Sequence, residues 1–209
     1  MYGQTISWGS LMQLVKATDP ILRYPVPKFT WPTVGDALLK LENQSDELRR
    51  IVEENELGAL AANQVGLPIN MLVLGQRCFR GVSKWNCKVF INPYLVGSGC
   101  DDGHWGHERS PNFPGLQVDI RRAPFIKLGG DSLTGKFITQ ALEHDGARAA
   151  ARAVDCLKGI TILDHSCLGY WGYEGVELDS RRKPGVPSRS EMYEILKERS
   201  RQLQCGEGT

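Results

Sequence analysis

The 209-residue chain has 41% hydrophobic and 23% charged residues. That fits one domain with appended ends and is too apolar for a disordered protein. A formal net charge of +1 gives no general reason to expect nucleic-acid binding, although it says nothing about a local basic patch. No apolar run approaches the roughly 18 residues that a membrane helix needs. The opening MYGQTISWGSLMQL has neither a basic leader nor an Arg-rich amphipathic stretch. The expectation is a cytosolic protein, or one whose targeting segment lies outside this numbering.

In chain order, residues 1–18 read as an irregular lead-in. Pro20, Pro25, Pro27 and Pro32 predict extended chain up to the last of them, because proline resists the helix interior and restricts the residue before it. A helix is expected over about 34–55, with Leu38, Leu41, Leu48, Ile51 and Val52 as its apolar stripe. From Leu57 the pattern turns to short strands, including MLVLG and KVFINPYLV. CDDGHWGHERSPNFPG reads as a loop-rich region, followed by the strand-like PFIKLGG. An Ala-rich helix is expected over about 143–157, with Gly159 as its stop. DSRRKPGVPSRS is a linker by composition, and Ser188 with Glu191 resembles a capping box opening a final helix, EMYEILKERSRQL.

The six cysteines, Cys78, Cys87, Cys100, Cys156, Cys167 and Cys205, are irregularly spaced and include no C-x-x-C pair. They read as thiols in a reducing compartment. Cys100, His104 and His107 lie close together beside Asp101, Asp102 and Glu108. A zinc site there lacks a fourth ligand at a characteristic spacing, and exposed or locally bonded histidines are the favoured reading. His144 and His165 have no ligand partner at a telling spacing and are read as structural.

Three segments, in order, resemble the motifs of peptide deformylases. LGALAANQVG matches G-x-G-x-A-A-x-Q at Ala61, Ala62 and Gln64, with Leu57 and Ala59 in place of the glycines. ERSPNFPG matches E-G-C-L-S and its following P-G at Glu108, Pro114 and Gly115. ARAVDCLKG matches Q-H-E-x-D-H-L-x-G at Asp155, Leu157 and Gly159. ILRYPVP and VFINP resemble two further family segments, so the likeness runs from about Asp19 to His165.

The resemblance implies an α+β fold, peptide deformylase-like, with small antiparallel sheets around a central helix and a C-terminal helix. It also implies three regions: an extension over 1–18, the domain over 19–168, and a linker with a final helix over 169–209. In the family, one thiolate and two imidazoles hold a divalent iron or zinc and leave a position for water. Carried onto this sequence, the thiolate position is Ser110, the two histidine positions are Arg152 and Cys156, and the acid/base glutamate position is Ala153.

A neutral hydroxyl is a poor ligand, a guanidinium has no lone pair to offer, and alanine cannot move a proton. The expectation is therefore a pseudoenzyme, not an enzyme, with no metal and no cofactor. Arg152 is expected to fill the vacated metal position and pair with Glu108, with Arg148 as a second cation on the same helix face. Gln64, which in the family donates to the transition-state oxygen, is read as a loop-fixing amide, and Asp155 as a helix-packing residue.

The resemblance suggests a structural or assembly subunit of a larger complex, an organellar, mitochondrial ribosome being the case it implies. Its partners would be protein subunits, with rRNA phosphates at Arg181, Arg182, Lys183 and Arg189, and no membrane. The alternatives are a binding module for formylated or free amino-terminal peptides without hydrolysis, and a working deformylase with altered ligands.

Overall fold

The computed structural model describes residues 12–31, 34–79, 87–99, 103–165, 171–173 and 194. Helix α1 spans Asp36–Glu54 and buries Leu41, Leu48, Ile51 and Val52, while Leu38 is half-buried. Their helical spacing turns one stripe inward, and surface ion pairs such as Arg50–Glu47 and Arg50–Glu54 decorate the outside. Helix α2 spans His144–Leu157, with Gly146, Ala147, Ala150, Ala151, Ala153 and Val154 buried. Its small residues let it lie close to the strands beneath. At its end Gly159 takes a φ of +74°, where an added Cβ would lie 2.8 Å from the backbone of Arg23. Only glycine fits that stop.

Two antiparallel sheets surround α2. The larger runs β1 (Ala59–Ala61), β2 (Met71–Leu74), β3 (Lys88–Gly99), β6 (Phe125–Asp131) and β7 (Phe137–Glu143), adjacent in that order. The smaller runs β4 (His104–Arg109), β5 (Leu116–Arg122) and β8 (Trp171–Tyr173). One side of the larger sheet packs Leu72, Leu74, Phe90, Ile126 and Leu128 against α2. Met71, Val73, Val89 and Ile91 face α1 on the other side. The smaller sheet has its own core of Leu116, Val118 and Ile120, closed by Leu22, Phe113 and the short helix α3 (Ile162–His165). The mixed architecture is the expected α+β one.

Two local expectations are corrected. Pro20–Leu22 forms a 3-10 turn, not extended chain. Asp19 caps it by accepting from the Ile21 amide at 3.0 Å, and proline is at home in a first turn because it has no N–H to satisfy there. The loop-rich reading of residues 100–115 missed β4, whose six residues pair in continuous register with β5 from His104↔Arg122 to Arg109↔Gln117. The linker, the four basic residues Arg181, Arg182, Lys183 and Arg189, and Cys100, Cys167 and Cys205 lie outside the described residues. The expected final helix falls largely outside them. Among the described residues no helix is long and apolar enough to cross a membrane.

Candidate functional site

Three segments converge under α2: the β1 strand with the 3-10 turn Ala62–Val65 that follows it, the β4–β5 connection, and α2 itself. Hydrogen bonds tie them together. Asn63 Nδ2 donates to the Cys156 carbonyl at 2.7 Å. Gln64 is fully buried; its Oε1 accepts from the Ala61 amide at 3.0 Å and its Nε2 donates to Asn112 Oδ1 at 2.7 Å. Asn112 Nδ2 in turn donates to the carbonyls of Gln64 and Val15 at 2.8 and 2.9 Å. The glutamine amide thus locks its own turn to the β4–β5 connection.

Glu108, with its side chain fully inaccessible, sits on the inner face of β4. Arg122 meets it two-pronged, with Nε at 2.9 Å from Oε1 and Nη2 at 3.1 Å from Oε2. Arg148 donates from Nη1 to Oε1 at 2.9 Å. The same guanidinium spans the hairpin, reaching the carbonyls of Ile120 at 2.8 Å and His104 at 2.9 Å. Gly106 makes room for it, since a Cβ there would lie 2.9 Å from Arg148 Nη2. Arg122 continues to Asp155 at 2.6 Å, and His165 Nε2 lies 3.1 Å from that carboxylate. Burial raises the Asp155 carboxyl, but the His165 hydrogen bond and the Arg122 charge outweigh it, so it ionises below its ordinary value. Burial likewise works against the charge on Arg122, and Glu108 and Asp155 overcome it, raising its pKa.

The expected Arg152–Glu108 pair is therefore corrected: Glu108 is met by Arg148 and Arg122. Arg152, one helical turn further along, donates instead to the Arg109 carbonyl. Helix geometry explains the exchange, because Arg148 stands over Gly106 while Arg152 has moved along the strand to its end. Arg122 escaped the sequence reading. Its signal is the alternation of Leu116, Val118 and Ile120, which puts Arg122 on the inward face of β5.

At the position where the family carries a thiolate, Ser110 is 5% exposed and its Oγ has no hydrogen-bond partner among the described residues. Ala153 is fully buried in the α2 core. Burial pushes the Cys156 thiol up to about 12, against the pull of Arg152, so it is protonated near neutral pH. These residues do not fit a divalent iron or zinc, since they supply a hydroxyl, a guanidinium and a neutral thiol. Of the two histidines read as exposed or locally bonded, His107 pairs with Asp119 across the hairpin, and His104 is exposed. Among the described residues no three His, Cys, Asp or Glu side chains gather in a metal-holding group.

A family model described as polypeptide deformylase matches residues 11–167. The peptide deformylase of Rhodopirellula baltica is 33% identical over 126 residues, 60% of this chain and 60% of that protein. The chain thus spans less than two thirds of that relative. The peptide deformylase of Dictyoglomus turgidum is 28% identical over 158 residues, 75% of this chain and 93% of that protein. Among solved structures, a peptide deformylase from Legionella pneumophila superposes with a TM-score of 0.67 at 17% identity, covering 94% of this chain and 98% of that one. A Met-Ala-Ser-bound class I type b peptide deformylase from Acinetobacter baumannii gives 0.64 at 19% identity, covering 75% and 98%.

At those identities the structural likeness is one of fold. The expectation that this chain is not an enzyme is overturned: the curated relatives it matches are named peptide deformylase, an enzyme, and the solved neighbours are deformylases too. With three quarters of its length matched and the fold shared with these structures, the chain belongs to the polypeptide deformylase family.

Proposed function

We propose that this chain receives the amino-terminal end of a peptide where the Ala62–Val65 turn, the β4–β5 connection and α2 meet. The observation that supports it is the mutual bonding of the three motif segments, Asn63 to Cys156, Gln64 to Asn112 and Arg152 to Arg109. The frame that carries peptide-handling residues in the family is assembled here with different side chains upon it. The Acinetobacter neighbour described as Met-Ala-Ser bound adds the chemical class of ligand. Calorimetric titration with a formyl-methionyl tripeptide, and with the same peptide lacking the formyl group, tests the reading. Saturable heat with either peptide is the expected result; none with both overturns it. Following formate release in the same mixtures, with ferrous, nickel or zinc ion added, determines whether the reaction named for the relatives belongs to this chain as well.

A second reading has its own observation. Tyr94 and Phe137 stack at 6.4 Å between ring centroids on the larger sheet, on the side away from α2, and they are 49% and 57% exposed beside Val96. Exposed apolar strips of this kind favour contact with another macromolecule. In this reading the chain is a subunit of a larger assembly, an organellar ribosome being the class the family resemblance implies. Sedimentation of the native protein from its own cells tests it. Co-migration with ribosomal particles that a Tyr94→Ser, Phe137→Ser double variant loses is the expected result, and free sedimentation of the unaltered chain overturns it.

A further inference from the structure

We propose that the place where the family is expected to hold a metal cation is, in this chain, a site for a small oxyanion, built on Arg152 and Ser110. Charge supports this first. Arg122 and Arg148 are matched by Glu108 and Asp155. Arg152 meets no carboxylate among the described residues; its one hydrogen bond there goes to the Arg109 carbonyl. A half-buried guanidinium facing only a neutral acceptor is costly, and an anion is the partner that offsets the cost.

The donors point the same way. Among the described residues Arg152 Nε is buried with no partner, and so is Ser110 Oγ. Both belong to one locality, because the carbonyl that Arg152 engages is that of the peptide unit joining Arg109 to Ser110. Ser110 is 5% exposed, so water does not satisfy its hydroxyl from outside. An unfilled N–H and an unfilled O–H beside a positive charge suit an oxyanion, but both atoms are closed to solvent, so an anion accepts from them only after the side chains around them part. The buried thiol of Cys156 feels the Arg152 charge and adds no negative charge of its own. Arg152 remains partly open to solvent, which leaves a route of entry.

This inference does not depend on peptide binding and is tested without peptide. Inorganic phosphate and acetate are titrated separately into the full chain by calorimetry, at ionic strength held constant with sodium chloride. Saturable, single-site heat with at least one of them is expected, and the arm that binds tells tetrahedral oxyanion from carboxylate. Arg152→Gln should weaken that binding by about tenfold or more, and Ser110→Ala by about three- to tenfold, as charged hydrogen bonds outweigh neutral ones. Arg152→Lys keeps the charge without the Nε–H and should fall between the two. Heat that never saturates with either anion overturns the proposal, as does binding unchanged in Arg152→Gln. Should Arg152→Gln fail to fold, the Arg152→Lys and Ser110→Ala titrations decide, and unweakened binding in both overturns it.

Discussion

Arg148 and Arg152 share one face of α2, a single turn apart, and their surroundings differ in kind. Arg148 reaches a buried carboxylate and the carbonyls of both hairpin strands, in a slot that Gly106 leaves open. Among the described residues Arg152 has a lone carbonyl, and its Nε has no partner. The first is a closed network in which every charge has its opposite. The second is an unfinished one. Elements meet in the closed network, and the unfinished region is where a ligand would find something to do.

The largest effect should come from Glu108→Gln. It leaves Arg122 and Arg148 beside a neutral amide inside the protein, and breaking a buried pair in this way typically costs about 3–5 kcal/mol. Urea denaturation measures it. A loss under about 1 kcal/mol would mean that the network does not hold the smaller sheet to α2. Next comes Gln64→Leu, which strips the Ala61 amide and Asn112 Oδ1 of buried partners. Each unsatisfied group costs about 1–3 kcal/mol, so a loss of about 2–3 kcal/mol is expected in the same measurement. An unchanged midpoint would show that the turn finds other partners.

Acid should act on the closed network through Asp155. Its carboxyl ionises below the ordinary value in the folded chain, burial being outweighed by His165 and Arg122. A carboxyl with a depressed folded pKa adds stability that is present above its unfolded value, near 3.9. That stability is lost as pH falls through the folded value. The slope of stability against pH should therefore be steeper in this acid window for the unaltered chain than for Asp155→Asn. Equal slopes would place the acid sensitivity elsewhere.

The two helices were legible because both carry apolar or small residues at helical spacing, and the Gly159 stop because glycine is the residue that most readily takes a left-handed φ, here +74°. Strand β4 was hidden. His104, Gly106, His107 and Glu108 are weak strand formers, and the segment is held by its register with β5 and by Arg148 laid across it. The motif positions could be aligned from sequence, but not the partner of Glu108. Arg148 and Arg152 occupy the same helix face, and only the depth at which β4 crosses α2 selects between them. Arg122 arrives from another strand, 14 positions away in sequence, so the alternation along β5 turns it inward but does not name Glu108 as its partner.

The smallest effect sharpens the contrast most. Arg148→Met should cost about 3–5 kcal/mol, because it uncovers one side of a buried carboxylate. Arg152→Met, in chloride buffer without phosphate or acetate, should shift stability by about 1 kcal/mol or less in either direction. The variant gives up one hydrogen bond to the Arg109 carbonyl, worth about 1 kcal/mol. In return it removes an unbalanced, half-buried charge and lets an unbranched apolar chain fill the space. The two substitutions are chemically identical and one helical turn apart, so propensity and side-chain entropy cancel between them, and what remains is pairing. Equal losses in the two variants would mean that Arg152 has a partner the size of Glu108, and the contrast between the two regions would fall.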